Sequence, residues 1–266
     1  MVDGECSSIT APLRRLNVAG WVFALGLLVL AEGAVRLFDL SDSVAAPSAA
    51  AGAIVEATAD GSLSGEAATT LGTYAQGLVL AIAIGLALGV AIGSSRTLED
   101  ASSILVEFLR PIPAVALVPL AIFWFGSGPP TTRFLVAYAA AWPILVHTAY
   151  GVRGVDRMLY DVAATSGVEG AARVVRVSLP AALPSIVTGI RISAALGLVV
   201  CVTAEYFVGS QGIGDYLNDQ RVAYRLPELY AAAILTGLLG LVIDALLRNG
   251  ERRVVFWAGE EQARRR

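Results

Sequence analysis

The chain has 266 residues, 56% of them apolar and 15% charged, against about 25% charged in an average soluble domain. That balance excludes an ordinary water-soluble domain and belongs to a membrane protein. Every basic residue is an arginine, so the net charge of −3 says less than the places where the arginines fall. The one histidine, His147, and two cysteines far apart, Cys6 and Cys201, supply neither a metal-ligand cluster nor a disulfide framework. His147 reads as packing or a buried hydrogen bond, Cys6 as a free surface thiol and Cys201 as a buried small hydrophobe.

Residues 1–17 form a polar N-terminal segment with Arg14 and Arg15 just before an apolar run over 18–38. That run is long enough to span a bilayer and reads as a retained first helix rather than a cleaved leader. Glu32 and Arg36, four apart near its far end, suit an interfacial ion pair. Residues 39–70, rich in Asp, Ser, Ala and Gly, read as an outside segment with a short surface helix around 52–59.

A second span over 71–92 carries Thr73, Gly77, Ala81, Gly85, Gly89 and Gly93 at intervals of four. This spacing puts small residues on one stripe, a packing face that lets a neighbouring helix approach closely in lipid. The string SSRTLEDASS then reads as a polar inside turn. In the third apolar segment Pro111, Pro113 and Pro119 each remove a backbone donor, which predicts an irregular, protein-buried span. A tight turn over 126–132 leads to a fourth span over 134–152 with Trp142, Pro143 and His147.

Next comes LYDVAATSGVEGAARVVRVSLPAALP, residues 159–184, helical in spacing and closed by prolines expected to stop one helix and start another. A fifth span over 186–208 places Arg191 near one end and Glu205 near the other. Residues 209–228 read as a polar connection with a glycine turn and an amphipathic helix. A sixth span over 229–247 ends at Asp244, Arg248 and a basic tail. With both termini on one side, fourteen of the nineteen arginines fall there and four on the other, Arg191 lying at the boundary. The positive-inside rule then makes both termini and the 153–183 loop cytoplasmic. The expected layout is an all-α polytopic protein of about six spans: a terminal segment to 17, a membrane domain over 18–248 and a cytoplasmic tail over 249–266.

The 153–183 loop resembles the EAA loop of type I ABC importer permeases, with Ala163, Ala164, Gly167, Leu179, Pro180 and Pro184 at matching places and Val162 where the family has Glu. RPIPAVALVPLAIFWFGSG, GSQGIGDYL and ILTGLLGLVIDALLR further resemble the nitrate, sulfonate and taurine permease group, over roughly residues 60–255. The resemblance implies the type I importer fold in a bacterial inner membrane and a transport subunit without catalytic residues or cofactor of its own. It implies two cytoplasmic ATPases carrying ATP and Mg, a second permease copy and an extracytoplasmic binding protein. No nucleic-acid partner is expected. Asp161, Val162, Ala163, Ala164, Gly167, Val168 and Glu169 are the expected ATPase-coupling residues, in a helix over 159–169 followed by a second over 170–178 bearing Arg173 and Arg176.

For the solute route the candidates are Trp142, Arg191, Glu205 and Tyr206. Glu205 reads either as a gate or as a structural hydrogen bond or ion pair with Arg191 or Arg133. The implied cargo is a small anion such as a sulfonate, taurine or nitrate; a vitamin precursor or aromatic acid is the alternative within the family. An ion-gradient transporter would need more intramembrane carboxylates and an inverted repeat. A membrane enzyme would need a nucleophile with its base.

Overall fold

A backbone in hydrocarbon has no water to bond, so an apolar chain must pair its own amides in helices or a closed barrel. The computed structural model describes residues 18–38 and 44–254, and the described residues take the helical solution, with no strand. Cys6, Arg14, Arg15 and the last twelve residues lie outside the described residues.

Helix α1 (Val18–Leu37) is followed by α2 (Pro47–Ala59), α3 (Ser62–Ser94) and α4 (Arg96–Leu109). A 3-10 turn at Ala114–Leu117 leads into α5 (Val118–Phe125), then come α6 (Pro129–Arg153), α7 (Arg157–Thr165) and α8 (Gly170–Arg173). A π turn at Val174–Ser178 joins α8 to α9 (Leu179–Val208), and α10 (Ile213–Val222) and α11 (Leu226–Val254) complete the chain. Four helical segments are long and apolar enough to cross a membrane, and the α4–α5 pair, bent by 82°, makes a fifth. The 20-residue α1, about 30 Å long at 1.5 Å per residue, has the length of a sixth.

Helix α6 is the centre of the bundle, flanked along its length by α3 and α9. The stripe of small residues on α3 makes this contact. A Cβ on Gly77 would stand 2.7 Å from the Val136 side chain, and one on Gly89 would stand 2.6 Å from Thr148 Cβ. A second stripe, Ser185, Gly189, Ser193 and Gly197, also runs at intervals of four and packs α9 against α6, with Gly197 reaching Tyr74 of α3 as well. Its serines bond α6 carbonyls: Ser185 Oγ donates to His147 O at 2.7 Å and Ser193 Oγ to Ala140 O at 2.6 Å. Small residues give close approach, and hydroxyls give interhelical bonds that lipid cannot. His147 thus sits in a helix contact, its Cβ facing Gly189. Cys201 is free and buried.

Three local expectations change, and a fourth is extended. SSRTLEDASS is no open turn: only Ser95, extended at φ −137° and ψ 120°, separates α3 from α4, and it caps α4 by accepting from Leu98 N. Helix α3 has 33 residues, about 50 Å, and so begins inside the stretch expected as the outside segment. The prolines at 180 and 184 do not split a helix either, since α8, the π turn and α9 form one 39-residue helical run. Leu179 N bonds to Val174 O, five residues back, and this wider turn accommodates Pro180 where an α turn would press its ring on a carbonyl. Finally, Glu32 does pair with Arg36 at 2.6 Å, but it also accepts from Ser48 N and Ser48 Oγ, fastening α1 to the start of α2.

Candidate functional site

Helix α7 stands between the spans α6 and α9 and is shaped by local signals at both ends. Asp156 caps it by accepting from Met158 N at 2.9 Å. At the other end Gly167 takes φ +70°, with Gly167 N bonding Ala164 O and Val168 N bonding Ala163 O. This pairing is a Schellman motif, whose left-handed residue favours glycine because a Cβ is penalised there. The helix therefore ends at Thr165, shorter than the 159–169 expected.

The coupling candidates do not share one surface. Ala163 is 6% exposed and faces inward, lining with Val168 and Pro180 a groove between α7 and the π turn. A larger side chain there would push α7 away from its own bundle, so small size at 163 serves intramolecular packing. Asp161, Val162, Ala164, Gly167 and Glu169 are exposed and Val168 is half-buried. Val162, at 58% exposure, joins Met158 and Leu159 in an apolar stripe on an otherwise polar helix, a residue set the sequence reading reached only at Val162. On the other flank of α7 a cavity of about 620 Å³ opens against the ends of α3, α4 and α6, lined by Arg96, Glu99, Arg153, Arg157, Tyr160 and Arg173. Glu99 and Arg153 pair across it.

The four route candidates are not gathered into one place. Arg191 pairs with Asp244 at 3.0 Å and with Glu251 at 3.6 Å, both on α11, so its charge is answered within the chain. Glu205 lies 14 residues further along α9, about 21 Å away, and pairs with neither Arg191 nor Arg133. It is fully buried and accepts from Thr70 Oγ1 at 2.9 Å and Gly214 N at 3.1 Å. Thr70 Oγ1 in turn accepts from Ile213 N at 2.8 Å. A carboxyl so placed satisfies donors that would otherwise be orphaned, and it fastens the first turn of α10 to α3 and α9. The backbone at Gly214 passes so close that a Cβ would meet Glu205 Cβ at 2.6 Å and Tyr206 N at 2.8 Å. The carboxyl therefore makes the structural hydrogen bonds expected of it and none of the expected ion pairs.

Arg133 bonds Gln76 Oε1 instead. Tyr206 is half-buried with the Arg221 guanidinium 5.8 Å above its ring. Trp142, also half-buried, stands edge-on to Tyr138 at 5.7 Å, and its buried indole N–H meets no hydrogen-bond acceptor within bonding geometry among the described residues. It ends a run of aromatic contacts along Phe125, Phe134 and Tyr138.

A bundle of paired apolar spans interrupted by one short amphipathic helix is the architecture of a polytopic membrane protein. Residues 79–256 match the family described as the binding-protein-dependent transport system inner membrane component. The chain belongs to that family. A putative ABC transporter permease of Methanocaldococcus jannaschii is 36% identical over 68% of this chain and 68% of its own length. The putative aliphatic sulfonates transport permease SsuC of Bacillus subtilis is 34% identical over 57% of this chain. The bicarbonate transport system permease CmpB of Synechococcus elongatus is 34% identical over 64%. The chain spans 55% of the length of the first of these two and 62% of the second. Among solved structures, an inward-facing MetNI methionine ABC transporter chain superimposes with a TM-score of 0.65 at 20% identity, covering 73% of this chain and 96% of that one. The protein is thus a type I importer permease of the bacterial inner membrane.

Proposed function

We propose that the chain forms, with a second copy of itself, the pathway for a small oxyanion, a sulfonate in the first instance. Two ATPases binding ATP and Mg dock at α7 on the cytoplasmic side, and a soluble binding protein delivers the solute on the other. Hydrolysis belongs to the ATPases and not to this chain. The observation that carries the docking reading is the apolar stripe Met158, Leu159 and Val162, exposed at 69, 46 and 58% on a helix capped at both ends and held outside the bundle. Exposed apolar surface of this kind marks an interaction site. With Val162 where the family has Glu, the contact is apolar, and its partner groove should be apolar too.

The sulfonate assignment rests on the SsuC relatives, and a bicarbonate permease stands at the same identity. The test reconstitutes the permease with its cognate ATPase and binding protein in liposomes. Ethanesulfonate uptake that requires ATP and the ATPase is the expected result; uptake of bicarbonate alone moves the cargo. Uptake persisting without any ATPase overturns the reading altogether. Val162→Arg is expected to abolish copurification of the ATPase while the bundle stays folded.

A further inference from the structure

We infer that Tyr160 is the positioning residue through which movement of α7 reaches the transmembrane bundle; this rests on the docking of an ATPase at α7. Tyr160 lies on the inward side of α7, half-buried, next to the exposed stripe but not in it. Its hydroxyl is 3.3 Å from Val152 O in the last turn of α6 and 3.1 Å from Ser178 Oγ at the end of the π turn. A phenol has one proton to give, so it donates to the carbonyl and accepts from the serine. Ser178 is 3% exposed, which keeps water from replacing that partner. The Arg173 guanidinium stands over the same ring at 5.2 Å. One side chain therefore ties α7 to α6 and to the helical run of α8 and α9.

Both ends of this tie lead into the bundle. Val152 packs where Gly93 of α3 has no Cβ, at 2.9 Å from where one would stand, so the end of α6 is locked to α3. Ser178 closes the π turn, and π turns concentrate at functional sites because they hold a helix one residue out of register. Pro180 and Pro184 lie just beyond, where each removes a donor from the helix. A displacement of α7 passed through the phenol hydroxyl pulls on a rigid pair, α3 with α6, on one side and on a deformable turn on the other. By contrast, the groove between α7 and the π turn is lined mainly by apolar groups, which can slide past one another.

The test uses the permease with its ATPase in nanodiscs, carrying bimane on Val199→Cys, an exposed position of α9, in a Cys6→Ser background. The readouts are ATPase copurification and the bimane emission shift on adding ATP and vanadate. Tyr160→Phe is expected to keep the ATPase bound and to reduce the shift at least fivefold. Ser178→Ala is expected to do the same, the double variant to lose no more than either single, and Ser178→Thr to keep the shift. A full shift in Tyr160→Phe with the ATPase bound overturns the inference, and so does loss of the ATPase, which would make Tyr160 part of the dock. Val162→Arg, run in parallel, separates the two readings: if it leaves copurification intact, the docking at α7 is what fails.

Discussion

Replacing Gly89 by alanine adds one methyl group at the tightest point between α3 and α6. The new Cβ would stand 2.6 Å from Thr148 Cβ and 2.8 Å from Leu145 O, where relaxed carbon contacts lie at about 3.5–4.0 Å. Both opposing atoms belong to or adjoin the α6 backbone, so no flexible side chain can swing aside, and α3 must withdraw by about 1 Å. Overpacking of this kind costs about 1–3 kcal/mol. Gly85 meets Ile144 Cβ at 2.8 Å along the same stripe. Since one withdrawal relieves both sites, the Gly85→Ala, Gly89→Ala double variant should cost less than the sum of the singles. The internal control is Gly72→Ala, on the same helix with nothing within 4 Å of its added Cβ; it should be stabilising by about 0.5–1 kcal/mol through backbone entropy. Equilibrium unfolding of the purified permease in mixed micelles, with rising SDS fraction, reads all four. A Gly89→Ala variant as stable as Gly72→Ala would falsify the close contact between α3 and α6.

Glu205→Ala should leave Gly214 N without its acceptor and Thr70 Oγ1 without one of its partners, at about 1–3 kcal/mol for each buried group left unmade. The loss should appear as faster amide exchange at Ile213 and Gly214 and as protease cleavage around Gly209, with α3 and α6 unchanged; an intact α10 would show that the carboxyl is not what holds it. Asp244→Asn removes one partner of Arg191, but both side chains are about one-third exposed and Glu251 remains at 3.6 Å. Its cost should stay under about 1 kcal/mol in the same unfolding assay, and a larger loss would mean that Arg191 is far less well served by Glu251 than its position indicates.

What could be read from the sequence was whatever depends on spacing within one segment. The stripe from Thr73 to Gly93 states its own geometry, because a period of four on a helix fixes one face whatever packs there. Pro111 and Pro113 likewise announce a break, and the 82° bend is where they fall. Pro119 sits instead in the first turn of α5, and side chains such as Phe108 and Phe123 stay exposed on a segment expected to be buried in protein. The stripe from Ser185 to Gly197 has the same period but is written half in serines, whose hydroxyls disguise small residues as polar ones. Only the carbonyls of His147 and Ala140 show why serine is there.

What could not be read depends on partners far along the chain. Glu205 has Arg191 on its own helix and Arg133 on the preceding span, yet it is held by Thr70, 135 residues away, and by a backbone amide that carries no sequence signature. The prolines at 180 and 184 mislead for a related reason: a local rule says that they end a helix, but a π turn upstream absorbs the misfit at no visible cost in composition. That turn is also where Ser178 meets Tyr160. The departure from the local rule and the tie between α7 and the bundle thus fall within the same five residues, where local irregularities serving a function are expected to lie.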